Sequence, residues 1–248
     1  MADLVGTPSD DAPDILATGR SGVTTIFVSM SARHPEGKDA DYLEWHTFDH
    51  RPEQQRLASL RTSLRVVSTP ACRAARAASD GHHDGIDHVM TYFFSDDAGL
   101  GEFADLSVAL RNAGRTPYVL PAVERGVYHL DGMVAAPRIK VGADVLPWWP
   151  MRGVYLLVEQ GEAPPTALTE VPGVGGAWWG RGIPVDPSIA SAAGGAQITY
   201  CFLDDDPVAT AGRLRPALEK RWADGTTEPL FAAPFFALEP HETGRYVP

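Results

Sequence analysis

The stretches TYFFSDD, from Thr91 to Asp97, and TYCFLDD, from Thr199 to Asp205, share five of their seven residues. Both begin with an apolar run rich in aromatic residues, which is typical of a buried strand. Both end in a pair of aspartates, a residue that frequently caps the first turn of a helix. The two stretches therefore predict a strand-to-helix unit that occurs twice, with Thr91 and Thr199 at equivalent strand positions.

The segments around the two stretches follow one another in the same order in both halves. Strand-like runs come first, at GVTTIFVSM from Gly22 and at GVYLLVEQ from Gly153. A helical pattern and another strand-like run follow each repeated stretch. Each half then has the order strand, helix or loop, strand, strand, helix, strand of the ferredoxin-like fold. We predict an α+β protein of two tandem ferredoxin-like units, whose antiparallel sheets pack as an intramolecular α/β barrel.

The expected boundaries follow from this repeat: an N-terminal arm at 1–21, the first unit at 22–134, a linker at 135–150 and the second unit at 151–248. The segment that joins the first strand to the repeated strand is longer in the first half than in the second. The additional residues include the polar segment EWHTFDHRPEQQ at 44–55. This asymmetry predicts that the first unit carries a site and that the second serves as a wall.

Composition limits the classes of function. The 248 residues are 44% hydrophobic and 21% charged, which is ordinary for a globular protein with its own core. A net charge of −11 and a pI near 5.1 argue against nucleic acid or a membrane as partner. The N-terminus lacks the apolar region of a signal peptide, and no run of 18 apolar residues occurs. Cys72 and Cys201 form no zinc motif and suit a reducing compartment, although one disulfide between them stays open. We therefore expect a cytoplasmic protein whose partner is a small molecule.

The polar segment EWHTFDHRPEQQ is predicted to be a helix that kinks at Pro52, because proline lacks an amide proton and clashes with the preceding turn. Three interpretations compete. Asp49 and Glu53 could pair with nearby arginines on a solvated face. His46, His50 and Glu53 could bind a metal ion, but the break at Pro52 disturbs their spacing. A histidine beside a carboxylate could instead transfer protons near neutral pH.

The same segment resembles the W-x-x-x-[DE]-H-x-P-E motif of small dimeric α/β-barrel proteins, close to the EthD-like group. The resemblance covers the first part of the predicted first unit. It implies the ferredoxin-like fold and a superfamily that includes cofactor-free monooxygenases, polyketide cyclases, muconolactone isomerases and haem-dependent proteins. In these proteins a polar residue near the pocket mouth, often a histidine, transfers a proton on a mostly apolar substrate.

The resemblance implies a cofactor-independent acid–base enzyme of isomerase, cyclase, lyase or monooxygenase type, which acts on an apolar, aromatic or polyketide-like substrate. His50 would be the acid–base group, oriented by Asp49 or Glu53, while Trp45 and His46 would contact the substrate. No metal and no organic cofactor are expected. The alternative is a non-catalytic protein that binds a hydrophobic ligand or haem. Many relatives are single units that dimerise, whereas this chain carries both halves, so a monomer can be complete and a dimer stays open.

Four further residues are predicted to contact the substrate. His88 and Tyr92 share one face of the repeated strand, so both belong to the pocket if that face is turned towards it. The opposite assignment, an outward histidine and a core tyrosine, stays open. In GVGGAWWGRG, Trp178 could face a flat substrate and Arg181 could bind its carboxylate or phenolate, or they could be core and surface residues. The histidine-rich segment SDGHHDGIDH, which ends at His88, is interpreted as a hairpin loop.

Overall fold

The structure is a computed structural model that describes residues 5–16, 19–192 and 194–246. Its nine strands are β1 (Thr25–Ser31), β2 (Leu60–Val67), β3 (Ala78–Ser79), β4 (His88–Phe94), β5 (Ala122–Ala135), β6 (Gly153–Gly161), β7 (Val174–Ile183), β8 (Gln197–Leu203) and β9 (Thr227–Ala237). The α-helices are α1 (Pro13–Leu16), α2 (Asp39–Trp45), α3 (Arg51–Gln54), α4 (Pro70–Ala74), α5 (Gly99–Asn112) and α6 (Pro207–Ala223). A π-helix at His46–His50 joins α2 to α3, and 3-10 helices lie at Ser9–Asp11, Ala143–Trp148, Thr166–Glu170 and Thr243–Tyr246.

The sheet contains two groups of four strands with the same order. The first group is β2-β4-β1-β5 and the second is β7-β8-β6-β9, and neighbours in both are antiparallel. β5 pairs with β7, and β2 pairs with β9 at Val66 and Val67, which closes the sheet within one chain. The protein is thus an α+β molecule of two tandem ferredoxin-like units that form an intramolecular barrel, as predicted.

The repeated stretches lie in corresponding strands, β4 and β8, but they are shifted by one residue. Thr91 lies on the same strand face as Phe93, which packs inside the barrel, and its hydroxyl is 2.9 Å from the Tyr200 hydroxyl. Thr199 shares the opposite face with Cys201, which packs against the helices. Because side chains alternate along a strand, a shift of one residue exchanges the two faces. The prediction that Thr91 and Thr199 are equivalent is therefore wrong, and the duplication shows in the strand order instead.

The inner face of the barrel forms one packed core. It contains large aromatic side chains from both units, all of them fully buried: Phe93, Trp178, Tyr200, Phe202, Phe231 and Phe235. The helices lie outside the barrel. The α2–α3 segment and α5 pack on the first group of strands, and α6 packs on the second.

The helix layer of the second unit is simpler than that of the first. In place of α2, the π-helix and α3, it has a 3-10 helix at Thr166–Glu170. Leu214 and Leu218 of α6 fill the space above the sheet. Cys72 and Cys201 are buried free thiols. Within the described ranges, no helix is long and apolar enough to cross a membrane.

Candidate functional site

The polar segment of the first unit changes its helical geometry where the sequence predicts an interruption. The amide of Arg51 donates to the carbonyl of His46, which closes a π-type turn. In a continuous α-helix, Pro52 could not donate to the carbonyl of Phe48 and its ring would clash with it, so the wider turn relieves the conflict. Such π-turns frequently occur at functional sites.

A cavity of about 470 Å³ lies between this segment, the first sheet and α5. Its volume falls in the usual range of small-molecule sites. The sheet contributes residues of β1, β2 and β4, and α5 contributes the opposite wall. Much of the lining is apolar or aromatic and includes Phe27, Trp45, Met90, Tyr92, Leu100 and Phe103. The cavity therefore suits a mostly apolar molecule.

His50 lines this cavity and is held by side chains of its own segment. The amide nitrogen of Gln54 lies 3.0 Å from His50 Nε2, and the Trp45 and His50 rings are 4.9 Å apart between centroids. His50 Nδ1 is buried and has no hydrogen-bond partner in the described part of the chain. Burial lowers the pKa of His50 because desolvation disfavours the imidazolium, and the nearby charge of Asp49 only partly opposes this. The ring is therefore neutral near pH 7.

Neither of the two carboxylates predicted to orient His50 forms a hydrogen bond with it. Arg115 binds both instead, at 2.9 Å from Asp49 Oδ1 and 3.1 Å from Glu53 Oε1. Residues four apart share one face of a helix, so Asp49 and Glu53 form one stripe while His50 and Gln54 form the next. The stripe with His50 is turned to the cavity, and the acidic stripe is turned to Arg115, which follows α5. Gln54 therefore takes the place that the sequence assigns to Asp49 or Glu53.

His46 and Tyr92 also line the cavity, with His46 Nε2 at 3.4 Å from the Tyr92 hydroxyl. Burial, followed by the charge of Arg65, lowers the pKa of His46 well below its usual value, and burial raises the pKa of Tyr92. Both groups are thus neutral near pH 7. His88 shares the strand face of Tyr92 but lies beyond the cavity lining, where its Nε2 is 2.7 Å from Asp39 Oδ1.

The two residues of the second unit that were predicted to face the substrate lie elsewhere. Trp178 is fully buried inside the barrel, and its indole nitrogen donates to the carbonyl of Ala143 at 2.6 Å. Arg181 is on the outer face of the same strand and pairs with Glu162 at 3.0 Å and more loosely with Asp131 at 3.9 Å. Neither side chain lines the cavity, so the expectation that they bind substrate there is wrong.

Arg65 lines the cavity, although sequence reasoning did not select it. It is 4% exposed, and its Nη2 donates to the Tyr42 hydroxyl at 2.8 Å. Its guanidinium carbon lies 5.2 Å from the centroid of the Tyr42 ring, and its Nε has no partner among the described residues. A usable sequence signal exists in LRVV of β2, where an arginine interrupts a run of strand-forming apolar residues.

Two other features lie outside this cavity. In the histidine-rich loop, side-chain atoms of His82 and His83 lie within 4.8 Å of each other and of Glu124. Burial lowers the pKa of His83, but the carboxylate of Glu124 at 3.7 Å and the hydrogen bond with Asp80 at 2.8 Å outweigh it and raise that pKa, which favours an ion-pair cluster. A groove of about 640 Å³ separates the N-terminal arm from the end of β5. The groove is larger than the cavity, but no predicted site residue lines it, so the cavity is the better candidate site.

Comparisons with models of protein families and with curated proteins find no match. Solved structures do match. A candidate chlorite dismutase gives a TM-score of 0.53 at 10% identity, covering 91% of this chain and 100% of the other. The chlorite dismutase from Candidatus Nitrospira defluvii, in complex with imidazole, gives 0.50 at 9%, covering 95% and 99%. An anthrone oxidase-like protein gives 0.48 at 12%, covering 89% and 94%. The first two matches show a shared tandem ferredoxin-like fold.

Proposed function

We propose that this protein is a small-molecule enzyme that transfers a proton on a mostly apolar substrate, with His50 as the acid–base group and without an organic cofactor. One observation carries the proposal: a neutral histidine, whose Nδ1 has no partner in the described part of the chain, lines a cavity of small-molecule size. Histidine is the side chain best suited to accept and return a proton near pH 7.

Gln54 can hold His50 in both of its neutral forms. In the orientation observed, the Gln54 N–H donates to His50 Nε2, which places the ring proton on Nδ1. The carbonyl oxygen of Gln54 is buried, and no described residue is hydrogen-bonded to it. A flipped amide would accept a hydrogen bond from Nε2–H and leave Nδ1 as a base. In either form, Nδ1 has no partner among the described residues, and we assign the proton exchange with the substrate to this buried nitrogen.

The walls of the cavity support a flat or conjugated substrate, because Phe27, Trp45 and Phe103 supply aromatic surface. Proton transfer without a cofactor suits isomerisation, cyclisation or elimination, and a substrate that reacts with dioxygen after its deprotonation suits monooxygenation. The resemblance of the polar segment to the EthD-like motif supports the same class. We propose no macromolecular partner for this activity, and the barrel closes within a single chain.

The alternative is a carrier of an apolar ligand or of haem. Haem iron requires a free imidazole nitrogen that can reach it. The Nε2 atoms of His46 and His50 are held by Tyr92 and Gln54, and the two rings lie 5.4 Å apart. The remaining Nδ1 of each ring is the nitrogen closer to the backbone, which a macrocycle approaches with difficulty. The two histidines described in the cavity lining therefore do not fit haem, and a titration with haemin should show no Soret band of a histidine-ligated haem in this cavity.

The test is a His50→Gln variant, assayed against a panel of phenolic and polyketide compounds. We expect the variant to keep the melting temperature of the wild type and to lose turnover by about 100-fold or more, as for the loss of a general acid–base group. His82→Gln, an exposed histidine outside the cavity, is the matched control and should remain active. Full activity of His50→Gln would refute the acid–base role, and binding without turnover across the panel would favour the carrier.

A further inference from the structure

We propose that the ligand of this cavity carries a carboxylate and that Arg65 binds it. This inference rests on the proposed function of the cavity and names its substrate class, an apolar or aromatic carboxylic acid in its ionised form. The proposal follows from the way in which buried charges are paired throughout the described chain.

Arg65 differs from the other charged side chains that are buried as deeply. A buried charge costs several kcal/mol unless an opposite charge or a set of hydrogen bonds compensates it. The Tyr42 hydroxyl accepts one hydrogen bond from Arg65 but supplies no charge. The buried carboxylates all have a basic partner: Asp39 lies 2.7 Å from His88, Asp87 lies 2.9 Å from Arg73, and Glu159 lies 3.0 Å from Arg221.

The lining of the cavity strengthens this contrast. Arg111 and Arg125 line the cavity together with Arg65, and the described residues of its lining include no aspartate or glutamate. The chain as a whole has a net charge of −11. A cavity with only basic charged groups in an acidic protein attracts anions and excludes cations. The charge of the missing partner of Arg65 is therefore negative.

The geometry of the guanidinium favours a carboxylate among anions. Arginine binds carboxylates through two parallel N–H donors, and the Nε–Nη2 edge is one such pair. Nε is buried and has no partner among the described residues, and Nη2 has a second proton beyond the one that it donates to Tyr42. The aromatic walls would then contact the apolar part of the ligand, and His50 would act on an atom between the two ends.

The test compares two probes of the same shape, 2-naphthoate and the uncharged 2-naphthamide, by isothermal titration calorimetry at pH 7. A hydrogen bond to a charged group contributes about 1.5–3 kcal/mol, so the wild type should prefer 2-naphthoate by about 10- to 100-fold. Arg65→Met should remove this preference and leave the affinity for 2-naphthamide unchanged. Arg65→Lys, which keeps the charge without the paired donors, should give an intermediate preference.

Arg61→Met is the matched control, because Arg61 lies on the same strand but is exposed and donates to the carbonyl of Ser21 at 3.0 Å. It should keep the full preference for 2-naphthoate. Arg65→Met should fold, because it removes an unpaired buried charge. Equal binding of the probes to the wild type, no binding of 2-naphthoate, or a preference that survives in Arg65→Met would overturn the proposal. Binding needs no turnover, so this inference and the role of His50 can fail separately.

Discussion

Each ferredoxin-like unit buries a charged side chain on the helix side of a strand, Arg65 in the first and Glu159 in the second. Of these two, only Glu159 has an oppositely charged partner among the described residues. Glu159 of β6 is fully buried, and Arg221 of α6 binds it through Nε and Nη2, each at 3.0 Å. The indole nitrogen of Trp222 donates a further hydrogen bond to Glu159 at 2.7 Å. Among the described residues, Arg65 of β2 has only the Tyr42 hydroxyl as a side-chain partner, and it borders the cavity. A compensated charge completes a core, whereas the charge of Arg65 beside a cavity is the basis of the proposed carboxylate site.

The packing around Glu159 and Arg65 also differs: it is filled in the second unit and open in the first. In the second unit, Leu157 and Leu214 meet in a filled layer with no exposed surface. In the first unit, the longer segment with the π-turn and α5 enclose a cavity of about 470 Å³. A duplicated fold can therefore keep one unit as a packed scaffold while the other holds a cavity. A single unit could not have both at the same position, because a filled core leaves no space for a ligand.

The largest expected effect is the loss of the compensated charge in the second unit. Arg221→Met would leave Glu159 buried without a cation, and it should lower the free energy of unfolding by about 3–5 kcal/mol. Arg65→Met should leave that free energy unchanged or raise it, because no partner loses its compensation. Urea denaturation of both variants measures the difference. Equal losses in the two variants would show that Arg65 is compensated within the chain.

A smaller effect on stability is expected when a phenylalanine replaces an alanine on either of the two equivalent helices, α5 and α6. Ala211 of α6 is 3% exposed within the filled layer, so Ala211→Phe should cost about 1–3 kcal/mol of stability by overpacking. Ala104 of α5 lines the cavity, so Ala104→Phe should change stability little and should weaken the binding of 2-naphthoate. Thermal unfolding and calorimetry report these two quantities. A large loss of stability in Ala104→Phe would mean that this space is closed in solution.

The smallest expected effect is a pH dependence of stability that arises in the first unit. Because the pKa of His46 is lowered in the folded protein, the unfolded chain binds more protons below about pH 6.5. The stability contributed by the neutral ring is present above that pH and is lost as the pH falls, by at most about 1.4 kcal/mol per pH unit. His46→Gln should therefore flatten the decline of the urea midpoint between about pH 6.5 and 5.

The control for this prediction is His241→Gln, because His241 is exposed and lies near the end of the second unit. The urea midpoint of this variant should decline with falling pH as that of the wild type does. The pKa of Asp39 is also lowered, by hydrogen bonds with His88 and His34 that outweigh the opposing effect of burial, so acid weakens the wild type through this group as well. The difference between variants therefore isolates His46. Parallel declines of the wild type and His46→Gln would show that this ring is not buried neutral.

Much of the fold and part of the site follow from the sequence alone. The order of strands and helices is encoded in local alternation and in turn residues, so the two TYxFxDD stretches and their surroundings indicated a duplicated ferredoxin-like unit. The additional polar segment indicated which unit carries the candidate site, and Pro52 indicated where its helix changes geometry. These features depend on neighbouring residues in the chain, and such residues remain neighbours in any fold.

Only the tertiary structure decided which side chains meet. A shift of one residue between β4 and β8 places Thr91 inside the barrel and Thr199 on the helix side, because strand faces alternate with a period of two. On the polar helix, side chains of successive residues point about a quarter turn apart. The packing of this helix on the sheet turns His50 towards the cavity and Asp49 away from it. Arg65 became conspicuous only when its surroundings were known, because the absence of a carboxylate partner among the described residues depends on how distant parts of the chain pack together.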